Sequence, residues 1–295
     1  MRYVLNRGNW RAVVDTVGAE MVSCSEKGLE YIWSGDPAFW TGHAPVLFPA
    51  VCALRNDRTS FGGVPYPMKQ HGFARKCEFT VVSAEEDRIT MQLSDSAETR
   101  EQYPFSFSLT VTHALTDDGF STDYEVRNTD TSVLPFALGG HAGFCCPLRP
   151  GEMFSDYQVL FDCKEDPVAW LLDDKGLMDP DHRKTALTPV KDGMILPVTE
   201  AMFADSALVF PHVQSGKLSL LHRVKKTGLD FTFHNFCNLG IWTPPGKGAP
   251  FLCLEPWQGL PALAKDAWIF EEKEDVVFLP AGETFQAGYA MIRRA

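Results

Sequence analysis

Apolar and polar residues alternate with a period of two along much of this chain. Phe105, Phe107, Leu109 and Val111 alternate with Ser106, Ser108, Thr110 and Thr112. Beyond the turn Thr116-Asp117-Asp118-Gly119, Phe120, Thr122, Tyr124 and Val126 fall on one face of the next segment. A strand turns successive side chains to opposite faces, so these segments predict a half-buried antiparallel hairpin. The same pattern predicts strands at Glu78–Val82 and Ile89–Leu93 around Glu85-Glu86-Asp87, and at Leu218–Val224 and Leu229–Phe233 around Lys226-Thr227-Gly228. It recurs at Val276–Leu279 and Phe285–Met291 around Pro280-Ala281-Gly282-Glu283. Helical spacing is confined to Asp95–Gln102 and Pro261–Phe270. Short strands joined by Gly/Pro turns predict an all-β fold, a large antiparallel sandwich.

A length of 295 residues allows two domains, and the Pro- and Asp-rich stretch from Asp173 to Pro197 is the best boundary candidate. Both flanks continue the same strand pattern, so a single domain over residues 1–295 is expected. The chain is 45% hydrophobic with a net charge of −11. That composition excludes disorder, and acidity disfavours a nucleic-acid partner, because the longest basic cluster is only Arg223-Val224-Lys225-Lys226. No apolar run reaches the roughly 18 residues of a membrane span, and the opening MRYVLNRGNWRAVVD lacks a signal-peptide core. The eight cysteines form no CxxC, and most lie in apolar runs. Buried thiols in a reducing, cytoplasmic setting are expected.

Three segments break the strand pattern by placing polar groups among Gly and aromatic residues: Lys69–Arg75 (KQHGFAR), Leu138–Phe144 (LGGHAGF) and Leu252–Gly259 (LCLEPWQG). Glu255 ends an apolar strand ahead of Pro256 and Trp257. Partial desolvation there raises a carboxyl pKa toward a useful general base, although a strand-end Glu paired with Arg fits the same pattern. His141 follows two glycines and suits proton donation to an ester or sugar oxygen, or else a structural core role. His71, with Arg75 four residues on, offers several hydrogen-bond donors to hydroxyls or a carboxylate, unless Arg75 only braces a turn. His113 and His222 continue apolar faces and read as core or rim residues, and His234 has no assigned role. No HxH or HExxH spacing occurs, so no metal site is expected; nor are there serine-hydrolase or nucleotide-binding motifs.

At these segments the chain resembles the aldose 1-epimerase (galactose mutarotase-like) superfamily, most closely a LacX-type bacterial branch. Glu30–Pro37 (EYIWSGDP), Ala44–Pro49 (APVLFP) and Leu239–Trp242 (LGIW) extend the likeness over nearly the whole chain. The resemblance implies a β-supersandwich, no cofactor, and interconversion of the anomers of a free aldohexose. It places the general acid on His141, the general base on Glu255, and a second sugar-holding histidine on His71 beside Arg75. The branch usually reads Pro-Ala after GGH, where this chain has Ala142-Gly143, which predicts a more mobile loop. Where the branch reads Gly-Arg-Leu, this chain has Cys52-Ala53-Leu54; Arg55 is the candidate replacement for the lost arginine. An Asp common in the family aligns with Ser206, and Asp205 beside it is a candidate site residue. Phe73, Phe144, Trp242 and Trp257 are aromatic candidates for the sugar's C–H face, with more of them expected in the core than in the site. Competing expectations are a non-catalytic sugar-binding or regulatory protein, and a hexose-6-phosphate mutarotase drawing on Arg55, Arg58 and Arg75. A glycosidase is disfavoured because only one carboxylate stands out. The oligomeric state is left open.

Overall fold

The computed structural model describes residues 1–265 and 268–294. Two large antiparallel sheets dominate it, one of ten strands and one of eight, with a four-stranded N-terminal sheet and two short ribbons beside them. The ten-stranded sheet runs in the order Thr188–Val190, Gly193–Pro197, Tyr157–Phe161, Lys217–His222, Gly228–His234, Thr284–Arg294, Gly119–Asn128, Phe107–Leu115, Arg88–Ser94, Thr80–Ala84. Three of the four predicted hairpins are present as expected. In the first, Leu109 faces Val126 and Val111 faces Tyr124 across the ladder, and all four are buried.

The fourth hairpin does not form. Val277–Leu279 pairs with Leu134–Phe136 in a separate ribbon, while Thr284–Arg294 lies between Gly228–His234 and Gly119–Asn128. Alternation identifies a strand but carries no information about its neighbour. Both helical expectations shrink as well. Asp95–Gln102 holds only the turn Ala97–Arg100, capped by Ser96. Residues 266–267 of the second stretch lie outside the described residues; its flanks make a bridge at Leu263 and a 3-10 turn at Phe270–Glu272.

The eight-stranded sheet carries the site. Its order is Met178–Thr185, Val168–Leu172, Leu208–Phe210, Asn238–Trp242, Phe251–Gln258, Leu138–Gly140, Val46–Leu47, with Ala142–Cys145 also paired to Phe251–Gln258. One face packs against the ten-stranded sheet through aromatic pairs such as Phe161–Phe210 at 5.4 Å and Phe144–Phe231 at 5.6 Å between centroids. Burying a side chain of that size stabilises the fold by about 1.5–3 kcal/mol. The Asp173–Pro197 stretch supplies strands to both large sheets, Met178–Thr185 to one and Gly193–Pro197 to the other. All eight cysteines are free, four buried and four half-buried.

Candidate active site

His141 and Glu255 are brought together by strand register. Gly139 pairs with Trp257 and Ala142 with Leu254, which sets residue 141 opposite residue 255 on neighbouring antiparallel strands. Directly opposed side chains share a face and touch, whatever their separation along the chain. The ladder is interrupted at Gly140 and His141, where the facing residue Pro256 has no N–H to give. His141 Nε2 stands 3.3 Å from Glu255 Oε2, with 9% and 3% of the two side chains exposed.

Burial sets the electrostatics. It pushes the Glu255 carboxyl well above the usual carboxylate range; the nearby Trp257 indole N–H opposes the rise but falls short of a hydrogen bond. Burial also holds the His141 imidazole down to about 3, opposed by a backbone hydrogen bond and reinforced by the Arg75 charge. Low dielectric disfavours each charged form, so the resting pair is uncharged.

His71 is fixed by Cys52 twice. Its backbone N–H donates to the Cys52 carbonyl at 3.0 Å, and the Cys52 N–H donates to His71 Nδ1 at 3.1 Å. A nitrogen that accepts cannot carry the proton, so His71 is an Nε2–H donor. Burial keeps it neutral, reinforced by His141 and Arg75. Gly72 makes this turn possible: at φ +67°, a Cβ would meet the Phe48 carbonyl oxygen at 2.2 Å. Arg75 donates from Nη2 to the Gln70 carbonyl at 2.9 Å.

These residues line one cavity of about 340 Å³ with Trp40, Cys52, Gln70, Leu172, Asp173, Gly176, Ser206, Ala207, Trp242 and Trp257. Gly240 gives Trp257 its place, because a Cβ there would meet the indole ring at 2.4 Å. Trp242 stands edge-on to the His141 ring at 5.8 Å. Phe73 and Phe144, by contrast, are core residues.

Three expectations are corrected. Arg55 lies outside this cavity; it sits on an exposed 3-10 turn and, with Arg58 and Lys273, lines a different small cleft. Arg75 is therefore the one cationic side chain among the described residues lining the cavity. Asp205 points to solvent and faces Lys184 at 3.6 Å, while its neighbour Ser206 lines the cavity and accepts the Leu172 N–H at 2.9 Å. Ala142-Gly143 is no mobile loop: both are buried in the strand Ala142–Cys145, and the Gly143 N–H donates to the His43 carbonyl at 2.9 Å.

Sequence reasoning passed over Trp40 and Asp173. Trp40 stacks on His141 at 4.9 Å, held there by the Trp33 indole N–H, which donates to its carbonyl at 2.8 Å. Asp173 Oδ1 accepts the Lys175 and Leu177 N–H groups, each at 2.9 Å, and its carboxylate adds a second acid to the cavity wall. A larger cavity, about 510 Å³ around Trp170, Arg183 and His212, holds none of the residues singled out from the sequence.

A buried imidazole–carboxyl pair thus lines a cavity of about 340 Å³ in an antiparallel, two-sheet fold. Residues 1–291 match the family model for aldose 1-epimerase, and the chain belongs to that family. It is 33% identical over 285 residues to the LacX proteins, plasmid and chromosomal, of Lactococcus lactis subsp. lactis, covering 93% of each chain. Among solved structures, a galactose mutarotase related enzyme from Lactobacillus acidophilus superposes with a TM-score of 0.92 at 30% identity, covering 100% of this chain and 98% of the other. A galactose mutarotase-like protein from Lactobacillus casei gives 0.91 at 30% identity, with 99% of both chains covered.

Proposed function

We propose that this protein is an aldose 1-epimerase that interconverts the α and β anomers of a free aldohexose. The observation that carries the reading is the 3.3 Å contact between His141 Nε2 and Glu255 Oε2 inside a cavity lined by tryptophan and hydrogen-bond donors. The ring oxygen and the anomeric hydroxyl are bonded to the same carbon, C1. Groups that serve those two oxygens must themselves be neighbours, and this pair is. Two carboxylates flanking a glycosidic bond stand roughly 5–9.5 Å apart, a geometry suited to a different reaction.

Glu255 takes the proton of the C1 hydroxyl while His141 gives one to the ring oxygen. The C1–O5 bond breaks, C1=O1 forms, and the open chain rotates about C1–C2 by roughly half a turn. Closure on the other face of the aldehyde returns both protons with the roles reversed. The open-chain stage thus leaves Glu255 protonated and His141 neutral, which is the uncharged pair that burial favours. Carboxylate plus imidazolium carries the same number of protons, so the pair moves between the two states without exchange with solvent. His71 Nε2–H and Arg75 hold sugar hydroxyls, and Trp242 supplies an aromatic wall.

A free sugar is favoured over a sugar phosphate because Arg55 and Arg58 stand apart from Arg75. The test is anomer exchange followed by NMR or optical rotation from pure α-D-glucose and α-D-galactose, with hexose 6-phosphates run in parallel. Faster exchange of the free sugars supports the proposal, and a folded protein that accelerates none of a panel of aldoses contradicts it.

A further inference from the structure

The face that holds the acid–base pair also holds a thiol. Cys253 and Glu255 are two residues apart on one strand and so point to the same side. His141 lies opposite Glu255, and Gly143, with no side chain, lies opposite Cys253. One ligand atom from each of His141, Cys253 and Glu255 falls within 4.8 Å of the others, and all three residues are buried.

We infer that His141, Cys253 and Glu255 form a binding site for a borderline-soft divalent cation such as Zn²⁺, Co²⁺ or Cd²⁺. Donors held by tetrahedral zinc at about 2.0–2.3 Å stand roughly 3.3–3.7 Å apart. His141 Nε2 and Glu255 Oε2 already stand at 3.3 Å, and the thiol has about 1 Å to close. No hydrogen bond holds His141 Nδ1 among the described residues, so a small shift of the ring breaks none there. Thiolate, imidazole and carboxylate suit zinc and its analogues, whereas Mg²⁺ and Ca²⁺ require shells of oxygen. Three protein ligands leave a fourth position of a tetrahedral ion open. On binding, the protons of Cys253 and Glu255 pass to solvent, and the cation takes the Glu255 oxygen and the His141 nitrogen that would otherwise exchange protons with the sugar. Cation and sugar therefore exclude one another. That competition rests on the proposed function, and the binding itself does not.

The test is titration of Co²⁺ into the metal-free full-length protein, followed by absorption. A thiolate-to-cobalt charge-transfer band with the visible bands of four-coordinate Co²⁺ is expected, both displaced by stoichiometric Zn²⁺. Cys253→Ser should abolish the charge-transfer band and weaken Zn²⁺ at least about tenfold, and His141→Gln should weaken it likewise, each variant checked by circular dichroism. Mg²⁺ should leave the cobalt spectrum unchanged. A cobalt spectrum without charge transfer, or Zn²⁺ affinity equal in wild type and both folded variants, overturns the site. With the site established, Zn²⁺ should slow anomer exchange and excess sugar should weaken Co²⁺. Metal binding by a protein without anomer exchange at any metal level would remove the mutarotase reading and leave the metal site standing.

Discussion

A hydrogen bond from a backbone amide decides how His71 is used. Because the Cys52 N–H occupies Nδ1, the imidazole offers only Nε2–H to the cavity. His71→Phe keeps a flat ring but removes that donor. Losing one such bond costs about 0.5–1.5 kcal/mol, so kcat/KM for the preferred aldose should fall roughly 2- to 13-fold with the fold retained, as read by steady-state polarimetry; unchanged kinetics would place His71 outside sugar contact. Arg55→Ala and Asp205→Ala, both outside the cavity, should leave kcat/KM within about twofold of wild type, and a large loss at either would show that the site extends beyond the cavity.

At the scale of elements, the sheets are joined at a few buried polar points, and His113 is one. It hydrogen-bonds the Thr122 hydroxyl through Nδ1 at 2.9 Å, and its Nε2 donates to the Ala19 carbonyl at 2.8 Å, tying the N-terminal sheet region to the ten-stranded sheet. Burial holds its pKa down to about 4, opposed by the bond to Ala19, against 6.5 for the free side chain. Protons then favour the unfolded chain between those values, so the contribution of His113 to stability is complete above about pH 6.5 and is lost as pH falls toward 4. The loss is limited to about 3 kcal/mol. Urea unfolding from pH 7 to pH 4 should show a shallower fall in stability for His113→Gln than for wild type, and parallel slopes would contradict this account. Within the eight-stranded sheet, Gly240→Ala forces a methyl into the Trp257 indole and should cost about 1–3 kcal/mol in urea unfolding. The contrast between these elements explains what was legible beforehand. Hairpins such as Phe107–Leu115 with Gly119–Asn128 could be read from alternation, because each strand buries one face. The neighbours of Thr284–Arg294 could not, since long-range pairing leaves no local mark. Motifs marked His71, Arg75, His141 and Glu255, whereas Trp40 and Asp173 sit in turns with no periodic pattern, held by hydrogen bonds to residues nearby in sequence.

For the whole molecule, cohesion comes from the packed sheets and not from cross-links. With all eight cysteines free, dithiothreitol should leave the melting temperature unchanged, and a drop would reveal a disulfide. We propose that residues 1–295 form one domain, since the Asp173–Pro197 stretch contributes strands to both large sheets. Calorimetry should therefore show a single transition with matching calorimetric and van't Hoff enthalpies; two resolved transitions would divide the chain.

The central claim is that Glu255 and His141 exchange protons with the two oxygens on one anomeric carbon. Anomer exchange of wild type and Glu255→Gln, measured by NMR on the preferred aldose, tests it most directly. The substitution preserves shape and removes the base, so acceleration should fall by about 10²- to 10⁴-fold while circular dichroism and melting stay close to wild type. A folded Glu255→Gln that exchanges anomers at the wild-type rate would contradict the account.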